Sequence, residues 1–220
     1  MSTISILLKQ EDERVICSFS CVNIIMPNLN IVGEGYMGVT QSVFTLENTN
    51  LLREYIKEKK SIIGFESSIP DYRQYGFLFN DKCEVYHGNL CKNDYGHYSD
   101  KNLLVIGNRV KSNKLLLNLF NDLKNSEGLI TYRVAESLKK NKIIGFDNIC
   151  EIYGVSSSSI SFMKYDNSGN NTYRECYVGI NMDPIDYLYD RLINPHQNDE
   201  GLLEWLEDTY SFLFLFFVIR

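Results

Sequence analysis

The stretch Thr3-Ile4-Ser5-Ile6-Leu7-Leu8-Lys9-Gln10-Glu11-Asp12-Glu13-Arg14-Val15-Ile16-Cys17-Ser18-Phe19-Ser20 decides the class of fold. Two runs rich in β-branched and apolar residues, Thr3 to Leu8 and Arg14 to Ser20, flank the polar Gln10-Glu11-Asp12-Glu13 turn, which is the pattern of a β-hairpin. The next apolar segment, Ile31 to Phe44, reads as a third extended piece, interrupted by Gly33, Gly35 and Gly38. Glycine inside a strand marks a bulge or a close approach of backbone.

Helical periodicity first enters after Thr49 or Asn50, either of which can cap a helix ending near Lys60 with Leu51, Leu52, Tyr55 and Ile56 on one face. Strand pattern returns at Arg73 to Phe79, turns at Asn80-Asp81, and continues through Lys82 to His87; a loop then leads to Leu103 to Ile106. Two helices follow. Ser112 precedes Leu115, Leu116, Leu119, Phe120 and Leu123, and beyond Gly128 the residues Ile130, Val134 and Leu138 share a face. Ser158 to Tyr165 and Tyr173 to Ile180 bracket Asn167-Ser168-Gly169-Asn170-Asn171 as a late hairpin. Asp183-Pro184 opens a helix with Ile185, Leu188 and Leu192 as its stripe, and Leu202, Leu203 and Leu206 suggest a short one beyond. Strands in sets with helices grouped outside them argue for an α+β fold with two largely antiparallel sheets, not a wound parallel one.

Composition narrows the function classes. The 220 residues, 44% of them apolar, suffice for one well-buried domain. Twenty-two basic against 28 acidic residues give a formal charge of -6, and no basic block exceeds Lys57-Glu58-Lys59-Lys60, so nucleic acid is not expected as a partner. Six unevenly spaced cysteines make no disulfide framework, and the start lacks a charged region before an apolar core, which points to a reducing, cytoplasmic setting. The aromatic run Phe212 to Ile219 is far shorter than the ~20 residues of a membrane-spanning helix.

Several chemistries fail on spacing or context. Gly33-Glu34-Gly35-Tyr36-Met37-Gly38 fits G-x-G-x-x-G but continues into Val39-Thr40-Gln41 with no helix to open, so no dinucleotide cofactor is expected. Cys83, His87, Cys91 and His97 supply zinc-like ligand types without the spacing of a zinc module, so no metal is expected. Cys17 and Cys21 read as small apolar residues, and Cys17, Cys83, Cys150 and Cys176 lack a nearby base or helix start to activate a thiolate. Ser156-Ser157-Ser158-Ser159 lacks the strand-turn-helix setting of a nucleophile elbow. The extreme N-terminus is more informative. A Ser or Thr exposed there combines a hydroxyl nucleophile with its own α-amine, which titrates near pH ~8 and serves as base. Loss of Met1 would expose Ser2, and loss of two residues would expose Thr3.

Taken in order, Thr3-Ile4-Ser5-Ile6, Ile16-Cys17-Ser18-Phe19-Ser20 and Gly38-Val39-Thr40-Gln41-Ser42 resemble the Thr-Phe-Ser-Ile, Gly-Val-Ala-Val-Ala-Ser and Gly-x-x-Ala-Thr-Gln-Ala segments of the family called domain of unknown function 1028. Arg73-Gln74-Tyr75-Gly76, His87-Gly88, Cys91, Gly96-His97, Gly107-Asn108 and Asp183-Pro184 resemble further family segments in the same order, across about residues 3 to 192. The resemblance implies an αββα four-layer sandwich of two antiparallel sheets, Ntn-hydrolase-like, in members described as hydrolases without an established substrate. By that logic Thr3, or Ser2 before it, is the nucleophile, with Ser20, Thr40 and Gln41 beside it, and Arg73, His97 and Asn108 lining the substrate region.

The function so implied is hydrolysis or acyl transfer at the amide bond of a small molecule or peptide. The chain also departs from the family pattern. Gly145-Phe146-Asp147-Asn148-Ile149-Cys150 lacks an expected basic residue, and Gly179-Ile180-Asn181-Met182-Asp183-Pro184 replaces an acidic run. The alternative is therefore a catalytically lapsed sandwich that binds or assembles. The expected organisation is one domain over residues 1–193, with 194–220 as an extension packed on it or at a homo-oligomer interface.

Overall fold

A computed structural model describes residues 3–21, 29–41, 46–65, 73–89, 91, 95–142, 154, 157–179 and 182–193. The helix near Leu202 and the aromatic run at 212–219 lie outside them. Among the described residues, ten strands form two sheets. The larger has the order β10(Asn171–Val178), β9(Ser159–Tyr165), β2(Glu13–Ser20), β1(Thr3–Gln10), β8(Leu103–Asn108), β7(Gly96–Ser99), and every neighbouring pair is antiparallel. The smaller is β3(Leu29–Gly33), β4(Tyr36–Gln41), β5(Gln74–Phe79), β6(Cys83–His87), again antiparallel throughout.

The opening hairpin forms as its sequence requires, with the ladder extending to Gln10 and Glu13 so that only Glu11 and Asp12 turn. Alternation then sorts the side chains. Ile4, Ile6, Leu8, Val15, Cys17 and Phe19 point to a helical layer, while Leu7 and Ile16 point to the other sheet. The segment expected as one strand from Ile31 is instead the hairpin β3-β4. Gly35, at φ +80, supplies the left-handed turn that breaks it, a conformation with little cost only for glycine. Gly38 lies so close to Phe77 on β5 that a Cβ would fall 2.1 Å from its ring.

Three apolar layers separate four structural ones. Helices α2(Asn113–Asn125), α3(Ile130–Lys140) and α4(Pro184–Ile193) cover the larger sheet through Leu116, Leu119, Val134, Leu138, Ile185 and Leu188. Ser112 caps α2 by accepting from the Lys114 amide at 3.2 Å, and Asp183 Oδ1 accepts from the Ile185 amide at 3.0 Å to open α4. Helix α1(Leu46–Lys59) covers the smaller sheet, seating Leu52 and Ile56 against Tyr75, Phe77 and Phe79. It begins earlier than the expected cap, and Leu51 turns out to solvent at 58% exposure, so its stripe is narrower than the sequence suggested.

The two sheets meet through Leu7, Ile16, Met37, Val39, Leu78, Leu104 and Ile106. The order is helix, sheet, sheet, helix. At one end Arg14, on β2, ties the layers together by donating to Gly33 O at 2.7 Å and to Asn167 Oδ1 at 3.5 Å. Two further assignments differ from the sequence reading. The run at Leu103 does not join the Arg73 to His87 strands but pairs with β1, and β7, a short polar edge strand, occupies what read as loop.

Candidate functional site

The layer between the sheets changes character along its length. Leu7, Ile16, Leu104 and Ile106 are succeeded, at inward positions nearer the start of β1, by Ser5, Thr3, Ser18, Ser20 and Asn108. On the facing sheet, Met37 and Val39 give way to Gln41, and Leu78 to Gln74. All of these polar side chains are buried, and none carries a formal charge. Thr3 lies in register between Ser20 on β2 and Asn108 on β8. Its hydroxyl is fully buried and has no hydrogen-bond partner among the described residues, a deficit worth about 1–3 kcal/mol.

A directed chain of hydrogen bonds fills the space beside Thr3. Ser18 donates to Ser5 Oγ at 2.9 Å, and Ser5 donates to Gln41 Oε1 at 2.9 Å, crossing from the larger sheet to the smaller. Gln41 Nε2 donates to Gln74 Oε1. Gln74 Nε2 gives one hydrogen back across the gap to Gly107 O at 3.0 Å and directs the other at His87 Nδ1, 2.8 Å away. His87 Nε2 lies 2.9 Å from His97 Nδ1, and the His87 ring also packs on Tyr95 with centroids 4.5 Å apart.

A carbonyl can only accept, so the Gly107 bond fixes the orientation of the Gln74 amide. His87 Nδ1 must then accept, leaving its proton on Nε2 to be donated to His97. Loss of hydration favours the neutral form of both rings: burial, with the repulsion a charged His97 would exert, brings His87 from 6.5 to about 4, and the same loss of hydration lowers His97.

The structure brings Thr3, Ser20, Asn108 and Gln41 to this inward face, and places His97 at its rim on β7. It places Thr40 and Arg73 elsewhere. Thr40 pairs with Tyr75, whose side chain belongs to the core under α1, and Arg73 Nη1 donates to the Tyr75 hydroxyl at 2.9 Å. Both therefore lie on the outer face of the smaller sheet. The Thr40 hydroxyl is buried there without a partner among the described residues. Ser2, the basic-residue gap at 145–150 and Cys150 lie outside the described residues.

Burial disfavours the thiolate at Cys17, Cys83, Cys91 and Cys176. Cys17 is buried against the helical layer, where burial raises its pKa, and burial pushes Cys83 up to about 11. Among the described residues, no three His, Cys, Asp or Glu side chains gather as metal ligands. No helix of the described residues is long and apolar enough to cross a membrane.

Sequence reasoning passed over Ser5, Ser18 and Gln74, and met His87 only as a possible zinc ligand. The signal was present. Ser5 and Ser18 alternate with apolar residues of two buried strands in step with Thr3 and Ser20, which puts four hydroxyls on one buried face, where a hydroxyl is kept only with a partner or a purpose.

No family model matches the chain, and no curated protein matches it. Among solved structures it is similar to protein SPO2555 from Silicibacter pomeroyi, a crystal structure described with the family model DUF1028. The TM-score is 0.70 over 93% of each chain, with 13% of residues identical. At that identity the likeness is one of fold.

Proposed function

We propose that the chain is a divergent member of the DUF1028 family and an Ntn-type amidohydrolase or acyl-transfer enzyme with Thr3 as its nucleophile. One observation carries this reading: the Thr3 hydroxyl is buried, unpartnered and flanked by Ser20 and Asn108 where the polar half of the inter-sheet layer begins. The shared fold supports it.

In this reading, removal of Met1 and Ser2 frees the Thr3 amine. The amine takes the hydroxyl proton as Oγ1 attacks an amide carbonyl, and the tetrahedral oxyanion is held by N-H donors. Asn108, with its carboxamide beside Thr3, is such a donor. Collapse breaks the C–N bond, the proton passes to the leaving amine, and an ester to Thr3 remains until water or an acceptor amine releases it. Ser20 and Gln41 line the same recess, and His97 guards its rim. No cofactor takes part.

The test is intact-mass analysis of the purified protein, followed by an anilide and carboxamide panel with Thr3→Ser and Thr3→Ala. A start at Thr3, a mass increment of one acyl group and activity retained only in Thr3→Ser support the proposal. Turnover unchanged in Thr3→Ala would sink it. A second reading, a lapsed sandwich that binds a partner, is favoured by the placement of Thr40 and Arg73 away from Thr3. It predicts no acylation of any variant.

A further inference from the structure

His87 ends β6, the edge of the smaller sheet, and His97 sits on β7, the edge of the larger one. Their 2.9 Å contact is thus a direct bridge between two sheet edges. The ring centroids are 5.1 Å apart and the planes 32° from parallel. That separation is close to the bond length plus the two ring radii, so the imidazoles meet end-on through an in-line N-H···N bond. They do not stack, and their lone pairs do not converge on a common point as two metal ligands would.

The direction of this bond is fixed from inside. Gln74 commits one hydrogen to Gly107 O and the other to His87 Nδ1, so His87 has only Nε2-H to offer and His97 Nδ1 must accept. A proton added to His97 Nδ1 would confront the His87 Nε2-H. A proton added to His87 Nδ1 would confront the Gln74 amide. Tautomer exchange in His87 gives no escape, because it moves the conflict to Gln74, and a Gln74 flip would forfeit both the Gly107 bond and the bond from Gln41. No single-proton rearrangement keeps every bond.

We propose that the His87–His97 pair is a proton-sensitive clasp that holds the edges of the two sheets together when neutral and releases them when either ring is protonated. The titratable neighbours on packed elements do not offset that charge. Tyr95 packs tilted against His87, Cys91 donates to Arg73 O, Cys83 lies two inward positions along β6 with its thiol protonated, and Arg73 faces the other side of the smaller sheet. None of these described groups is a carboxylate able to stabilise an imidazolium.

Protonation at His87 Nδ1 also costs Gln74 one of its hydrogen bonds, and Gln74 is bonded to Gln41, which accepts from Ser5, so the clasp bears on the order of the polar cluster whatever chemistry takes place there. It does not depend on the hydrolytic reading, and its test uses no substrate.

The chain has only three histidines, so imidazole nitrogen NMR on the full-length protein resolves each ring. Above pH 7 the expected state is the Nε2-H tautomer for both His87 and His97. On acidification the two should titrate together, and the exchange protection of amides in β6 and β7 should fall by about two- to tenfold, the loss of one net hydrogen bond. His97→Gln, whose carbonyl can still accept from His87, should keep the protection at neutral pH and blunt its loss in acid. His97→Phe should show the low protection at every pH. Ordinary, independent titration of both rings, or protection indifferent to both pH and His97→Phe, would overturn the clasp.

Discussion

Ser5 on β1 and Gln41 on β4 are joined by a 2.9 Å hydrogen bond that runs from one sheet to the other through a buried layer. Ser5 also accepts from Ser18, so a single hydroxyl satisfies a neighbour on its own sheet and a carboxamide on the facing one. The polar half of the interior is held by direction-specific contacts of this kind, in place of the interlocking apolar side chains used at the other end.

Ser5→Ala should cost about 1–3 kcal/mol, because it leaves Gln41 Oε1 buried without its donor and Ser18 without its acceptor. Urea unfolding with the Gln41→Ala single and double variants checks it. The two losses should fall short of additivity by about 0.5 kcal/mol or more.

For Thr3 the expectation is reversed. Its hydroxyl is paid for in burial and returns no bond, so Thr3→Val should leave stability unchanged or raise it by up to about 1 kcal/mol. Combined with loss of amide turnover, that result marks a position kept for chemistry. A destabilised Thr3→Val with normal turnover would mean that the hydroxyl has a structural partner.

Gly38→Ala introduces a methyl group where the Phe77 ring already lies, with the nearest ring carbon 2.1 Å from the new Cβ. Overpacking of this degree should destabilise by about 1–3 kcal/mol or more, and Phe77→Leu in the same chain should recover part of it. Thermal unfolding of the single and double variants decides the matter.

Acid should weaken the fold from about pH 6.5 downward. His87 binds a proton near 6.5 when unfolded but only near about 4 in the structure, so between those values the unfolded chain takes up more protons and stability rises with pH. The contribution is complete above about pH 6.5 and is lost as pH falls toward 4. Denaturant midpoints at pH 7.5 and 5 should differ, and His87→Gln should shrink the difference. Equal midpoints would contradict it.

Alternation made the sheets legible in the sequence. The hairpin of β1 and β2, the pair β5 and β6, the caps Ser112 and Asp183 and the stripes of α2, α3 and α4 follow from local pattern and stand where that pattern puts them. Pairing between distant segments was not legible. That β8 lies beside β1 depends on the whole chain closing, and nothing local in Leu103 to Ile106 selects its neighbour. Strand β7 was missed because Gly96-His97-Tyr98-Ser99 carries little apolar signal at a sheet edge. The buried polar cluster divides likewise. A resemblance in short segments indicated Thr3, Ser20, Gln41 and Asn108, but which face Thr40 and Arg73 occupy follows only from the register of β4 with β5.

Arg14 fastens the apolar end of the sandwich at Gly33 and Asn167, whereas the opposite end relies on amides and imidazoles. A guanidinium stays charged at any pH the protein meets, so that fastening is indifferent to acidity. With the clasp we propose, the molecule would work as a hinge with a permanent spine, and whatever enters between its leaves should come and go from the fore-edge beside Thr3.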